Sequence, residues 1–214
     1  MKLTLKIVES DAQIQKLVLN SLVPIVQKTI VKSIPSIKSQ IRDLIINALK
    51  QEPEYSSLVS GKLKAEFGIP QASQVNTVVQ ALADTINITA NQIVAGSNGL
   101  KGGFSLTMMK SDDLGGAITI DAAHITDTLG GYSLPWLEWL LLRSNDIIVR
   151  NYEVRYTSSP RSRSGMALMY ESKESWRVPP EFAGSQNNNW TTRAVDRSEK
   201  QIYDIIKKII EANV

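Results

Sequence analysis

Cysteine is absent from all 214 residues, and histidine occurs once, as His124. The first absence excludes thiol nucleophiles, disulfide staples and thiolate zinc sites. The second excludes a multi-histidine metal centre. Aromatic residues are scarce at 6%, and no uninterrupted apolar run approaches the roughly 20 residues of a membrane helix. The longest, LPWLEWLLL, is interrupted by Glu138 and ends after nine residues. The N-terminus MKLTLKIVESD has no apolar stretch of signal-peptide length, so neither a secretory leader nor a membrane partner is expected. Charge of one sign is also in short supply. A net charge of +3 and a pI of about 9.0 fall well short of the density expected if gripping nucleic acid were the main task.

What remains is a globular composition, 43% hydrophobic and 21% charged, in a chain of one-domain length. A single domain over 1–214 is therefore expected, with 1–50 a long helical region. Residues 2–8 alternate like a short strand. Then Ile14, Leu17, Val18, Leu22, Ile25, Ile30, Ile34, Ile37, Ile41, Leu44, Ile45 and Leu49 recur at mostly three- and four-residue spacing, which predicts one long helix with one apolar face. Pro24 and Pro35 fall inside it, so a kink or break is expected at one or both. Lys28, Lys32, Lys38 and Arg42 lie mostly off the apolar face and read as a solvated surface. The segment 52–70 reads as a short helical element that Gly68 ends before Pro70, and 73–85 as a further helix. Strands are expected at 85–94, 104–110, 117–123, 147–156 and 165–172, and helices at 133–142 and after residue 196. The class is α+β: a long N-terminal helix and a C-terminal helix packed on a mostly antiparallel central sheet.

Catalytic chemistry is hard to find in this pattern. His124, in AAHITD, has no G-x-S-x-G elbow beside it, and a structural role is expected. Asp112, Asp113, Asp121 and Asp127 cluster in sequence, but their spacing matches no calcium loop, and Asp112-Asp113 reads as a turn. AGSNGLKGG (95–103) has four glycines without the spacing of a phosphate loop, and reads as a turn between strands. No catalytic residue, cofactor or metal is predicted. Between Arg150 and Arg177 there are six Lys or Arg against three Glu, interleaved with Tyr152, Tyr156, Tyr170 and Trp176. That pattern suits either a nucleic-acid face or a sheet whose arginines meet an acidic partner. The second reading is preferred, because no RRM, KH or OB signature accompanies it. The candidate interface residues are Trp136, Trp139, Arg155, Arg161 and Arg163.

The stretch RVPPEFAGSQNNNWTTRAVD (177–196) reads as a latch for the last helix. Pro179 and Pro180 extend the chain, Phe182 and Trp190 plug the core, and Asn188 or Asn189 caps the helix.

In order, a long helix, SGKLKAEF (60–67), a run of strands and NNNWTTRAVD (187–196) before a final helix resemble the neck and tail-completion proteins of tailed bacteriophages. In that family a T-G-x-L-type segment follows the long helix and a P-F-[ILM]-x-P-A turn opens the last one. Trp190 stands at the aromatic position and Ala194 at the alanine, while both prolines of the second motif are missing. The segment LPWLEWLLLRSNDIIVRNYEV also resembles virion structural proteins of long-tailed and marine phages. The resemblance implies a non-enzymatic virion protein, assembled in the host cytoplasm, forming a ring at the head–tail junction or the top of the tail. Its partners would be further copies of itself, adjacent virion proteins and DNA passing a central channel. A baseplate or tail component and a nucleic-acid-binding protein are the alternatives.

Overall fold

In a computed structural model that describes residues 9–108, 114–126 and 131–213, helix α1 (Asp11–Gln51) runs unbroken through both prolines. Ser10 starts it: its backbone N–H bonds the side chain of Gln13, which leaves the Ser10 carbonyl to accept from the Gln13 and Ile14 amides. By length and composition α1 could cross a membrane, since one 18-residue window has a mean hydropathy of 1.3 and only 11% of that window is buried. No continuous apolar run is needed to reach that average.

The α+β class stands. Short helices α2 (Pro53–Ser60), α3 (Lys62–Phe67) and α4 (Ala72–Asp84) follow α1, then strands β1 (Asn87–Ala95) and β2 (Leu100–Thr107). After them come β3 (Ile125–Thr126), β4 (Ser133–Leu134), helix α5 (Trp136–Leu142), strands β5 (Val149–Tyr156) and β6 (Ala167–Trp176), and helix α6 (Trp190–Glu211). All pairing among the described residues is antiparallel, but it makes three two-stranded ribbons, β1–β2, β3–β4 and β5–β6, in place of one central sheet.

The described residues gather into two compact units, one holding 9–40, 87–107 and 203–213, the other 41–86, 108, 114–126 and 131–202. In the first, Gln27 of α1 accepts the Ile93 amide of β1 at 2.8 Å. Asn213, just past α6, donates to Ser33 of α1 at 3.3 Å. The β1–β2 ribbon closes through Gly96, whose amide reaches the Gly99 carbonyl at 2.7 Å. Glycine is required at Gly102: its φ is +155°, and a Cβ there would stand 2.2 Å from the Ile93 side chain.

In the second unit the C-terminal part of α1 supplies Ile41, Ile45 and Leu49, all fully buried, to a core shared with Leu58, Leu63, Val79 and Leu82. The turn from α2 to α3 depends on Ser57 and Gly61. A Cβ on Gly61 would sit 2.9 Å from the Ser57 Cα, and the Ser57 hydroxyl accepts the Leu63 amide at 2.9 Å, satisfying one of the free donors at the start of α3. Gly68 ends α3 in the left-handed region at φ 71°, as its place before Pro70 predicts.

One strand expectation changes. Residues 114–119 and 121–123 form 3₁₀ turns where 117–123 reads as a strand. The alternation of Ala117, Ile118, Thr119 and Ile120 is overridden locally, because the Thr119 hydroxyl bonds back to the Gly116 carbonyl at 2.7 Å and Gly116 takes φ +80°. β2 is assigned to Thr107, and the expected strand over 2–8 and the end of 104–110 lie outside the described residues.

Candidate functional site

The second unit carries an open cleft of about 490 Å³ whose floor and walls include Phe67, Ile125, Val149, Val154, Met169 and Trp176. Its base is an aromatic cluster. Phe67 meets Trp176 edge-on at 5.6 Å between ring centroids and lies 6.2 Å from Trp136, arrangements that add to the burial energy of the rings. Glu66, the neighbour of Phe67 on α3, ties the cluster to the β5–β6 hairpin. One of its carboxylate oxygens accepts the Trp176 indole N–H at 2.9 Å, the other the Tyr156 hydroxyl at 2.5 Å. Burial, together with the bond to the Glu66 carboxylate, pushes the Tyr156 phenol above the ordinary tyrosine range. Tyr156 is thereby a neutral hydrogen-bond donor to Glu66 near neutral pH.

The hairpin positions the mouth of the cleft. Asn151 takes a left-handed φ of 61° at a bulge between Arg150 and Tyr152, and beyond it Val154 pairs with Met169 and Tyr156 with Ala167. The serine-rich tip is held by its own bonds: the Ser162 hydroxyl donates to the Ala167 carbonyl at 2.7 Å, and the Thr157 amide to the Met166 carbonyl at 2.9 Å. This tip sets Arg161 and Arg163 at the cleft mouth, both exposed and neither in an ion pair among the described residues. Tyr132, 80% exposed, stands on the same lining.

The five candidate interface residues divide. Arg161 and Arg163 belong to the cleft. Arg155 does not line it; its guanidinium binds Glu153 and lies 5.1 Å over the Tyr170 ring. Trp136 is fully buried, and its indole N–H donates to the Ala122 carbonyl at 2.9 Å, so it serves the core and not a surface. The reading of Trp136 as an interface residue gives way for this reason: α5 is short and buries Trp136, Leu137, Leu140 and Leu141. Trp139 is half-buried beneath Arg143, whose guanidinium carbon is 4.3 Å from its ring centroid.

His124 bridges two backbone elements. Its Nε2 donates to the Ile118 carbonyl at 2.8 Å, and its Nδ1 lies 3.1 Å from the Ser133 hydroxyl oxygen. Among the described residues no carboxylate joins that chain of bonds. Asp121 is exposed in a 3₁₀ turn, while Asp112, Asp113 and Asp127 lie outside the described residues. No group of three potential metal-ligating side chains occurs among the described residues.

The latch is built largely as its composition predicts. Asn189 accepts the amides of Thr191 and Thr192 at 3.0 and 3.1 Å through its side-chain oxygen, and its own amide donates to the Thr192 hydroxyl at 2.8 Å, a reciprocal cap. Trp190 is buried and donates to the Leu49 carbonyl at 2.9 Å, whereas Phe182 is only half-buried. Sequence reasoning did not anticipate that Glu52 and Glu54, 2% and 1% exposed, are held by Arg197 and Arg193 of α6. Their EPE spacing at a helix start reads as exposed first-turn acid. Glu66 was also missed, although it lies inside SGKLKAEF.

No protein-family model, curated protein or solved structure matches the chain.

Proposed function

We propose that this chain is a non-enzymatic assembly protein that docks a neighbouring polypeptide in the Phe67–Trp176 cleft. Apolar side chains of the partner enter over Met169 and Val154, and an acidic group of the partner meets Arg161 and Arg163. The observation that carries this reading is the pairing of an open apolar cleft with two arginines that have no ionic partner among the described residues. A guanidinium fork suits a carboxylate, and an apolar centre with a polar rim is the ordinary anatomy of a protein interface. The order of elements shared with phage neck and tail-completion proteins supports the head–tail junction of a virion as the setting, with copies of the chain in a ring.

Two features of the hairpin favour a protein partner over a nucleic acid. Arg155 is already offset by Glu153, and its guanidinium covers one face of the Tyr170 ring on which a base would otherwise stack.

The test is incorporation into particles. The unaltered chain is expected in purified virions as a ring at the neck. A variant carrying Arg161→Glu and Arg163→Glu should fold with an unchanged melting temperature and be left out. Normal incorporation of that variant, or absence of the unaltered chain from particles, overturns the reading. Binding of the unaltered chain to duplex DNA that weakens with rising salt and is lost in the same variant would favour the nucleic-acid alternative.

A further inference from the structure

Helix α1 has two apolar faces, and the described residues cover one. At about 100° per residue, the buried Ile30, Ser33 and Ile37, with the half-buried Leu19, Val23 and Val26, define the covered side. Ile14, Leu17, Val18, Leu22 and Ile25 centre about 120° away from it, from Leu22 at about 60° to Leu17 at about 160°. Leu17 and Ile25 are 61% and 60% exposed, and every residue from 11 to 18 is exposed. A helix apolar on two sides is ordinarily covered on both.

The charges along the open face indicate what covers it. Asp11 lies at its N-terminal end and Lys28 at its C-terminal end, with the apolar residues between. If a second α1 is laid antiparallel about a two-fold axis between residues 19 and 20, Asp11 stands opposite the partner copy's Lys28. In the same register Ile14 stands opposite Ile25, Leu17 opposite Leu22 and Val18 opposite Ser21. Asp11, Ile14, Val18, Ser21, Ile25 and Lys28 are the a and d positions of a heptad repeat, and Leu17 and Leu22 widen the seam from the g and e positions. The one small polar residue in it is already satisfied, since the Ser21 hydroxyl bonds the Leu17 carbonyl at 3.0 Å within the helix.

We infer that the N-terminal half of α1 is a self-association surface, pairing antiparallel with a second copy of this chain through Leu17, Leu22 and the Asp11–Lys28 contacts. A contact of this kind is isologous, so it closes on two copies and repeats each ion pair twice. The open face fits a lipid surface less well, because Lys28 lies on it and Asn20, Ser21 and Gln27 fall in the same stretch of helix. The inference is independent of the cleft, which no residue of this stretch lines.

The full chain, sedimented over a range from micromolar to near-millimolar concentration, should show a monomer–dimer equilibrium. Leu17→Asp should weaken it about tenfold or more with the circular dichroism unchanged, because an exposed residue is being replaced. Lys28→Asp alone should also weaken it, and Lys28→Asp with Asp11→Lys should restore it. The absence of cysteine allows a register test. When Ile14→Cys and Ile25→Cys chains are mixed and oxidised, the mixed disulfide should dominate over either like pair. A chain monomeric at every concentration overturns the inference, as does dominant Ile14→Cys self-cross-linking. So does a monomer that binds phosphatidylcholine–phosphatidylglycerol vesicles and loses them on Leu17→Asp.

Discussion

Two helical stretches of this chain invert the usual relation between composition and burial. Residues 14–25 of α1 are rich in Ile, Leu and Val, yet Leu17, Val18 and Ile25 are largely exposed; residues 190–198 of α6 read WTTRAVDRS, yet Trp190, Thr191, Ala194 and Ser198 are buried. The second stretch is covered because its own buried hydroxyls have partners, even though the carboxylates it meets, Glu52 and Glu54, each keep one oxygen without a hydrogen bond among the described residues. The Thr191 hydroxyl binds Asn189 at 2.5 Å, the Ser198 hydroxyl the Ala194 carbonyl at 2.8 Å, and Arg193 the buried Glu54. The first stretch has the apolar surface and, among the described residues, little set against it. Hydrophobicity sets what a segment gains from burial; the available partners decide whether it is buried.

The contrast breaks most visibly at Trp190. Trp190→Ala removes a fully enclosed ring and leaves the Leu49 carbonyl without its donor, so a loss of about 4 kcal/mol is expected in denaturant unfolding. Arg193→Ala should follow at about 3 kcal/mol, because it leaves the Glu54 carboxylate, 1% exposed, without its counter-ion. Arg197→Ala should cost less, since the Arg197 side chain is itself 66% exposed and water replaces part of its interaction with Glu52. If the two arginines cost the same, burial of the carboxylate, nearly equal at Glu52 and Glu54, sets the scale and exposure of the arginine does not.

Much of this was legible in the residues, and the rest had physical reasons to stay hidden. Short-range rules worked where one residue type does one job: Gly68 in the left-handed region, Asn189 at the cap, Trp190 in the core. The α1 stripe looked like one face, yet the step from Ile25 to Ile30 is five residues and turns the pattern by about 140°. That single step separates the covered face from the open one. The number of sheets was not legible, because alternation within a strand does not name its neighbour. The cleft needed Phe67, Trp176 and the Arg161–Arg163 tip together, residues far apart in sequence; of these only the two arginines stood out in advance, through charge. Glu52 and Glu54 escaped because nothing local distinguishes a buried first-turn carboxylate from a solvated one.

A smaller effect probes the latch without touching its core. Asn189→Ala deletes the oxygen that accepts two α6 amides, and a helix cap of this kind contributes about 1 kcal/mol. Asn189→Ser, which keeps an acceptor at the cap, should recover most of that in the same melt. If it does not, the Asn189 side-chain donor to the Ser185 carbonyl, at 2.9 Å, matters more than the cap.

The smallest expected change is at Ile25, and it is the sharpest test of the comparison. Ile25→Ser removes a large apolar side chain from a helix, the same kind of substitution that would cost several kcal/mol at the fully buried Ile41. At 60% exposure there is little burial to lose and no cavity to open, so unfolding in dilute solution should move by less than about 0.5 kcal/mol. At high protein concentration the result should differ, because a dimer adds stability by mass action and Ile25→Ser removes part of its seam. A melting temperature that rises with concentration for the unaltered chain and stays level for Ile25→Ser would show that the apolar character of this stretch serves a second molecule. Equal losses at Ile25 and Ile41 in dilute solution would mean that the N-terminal half of α1 is covered within its own chain.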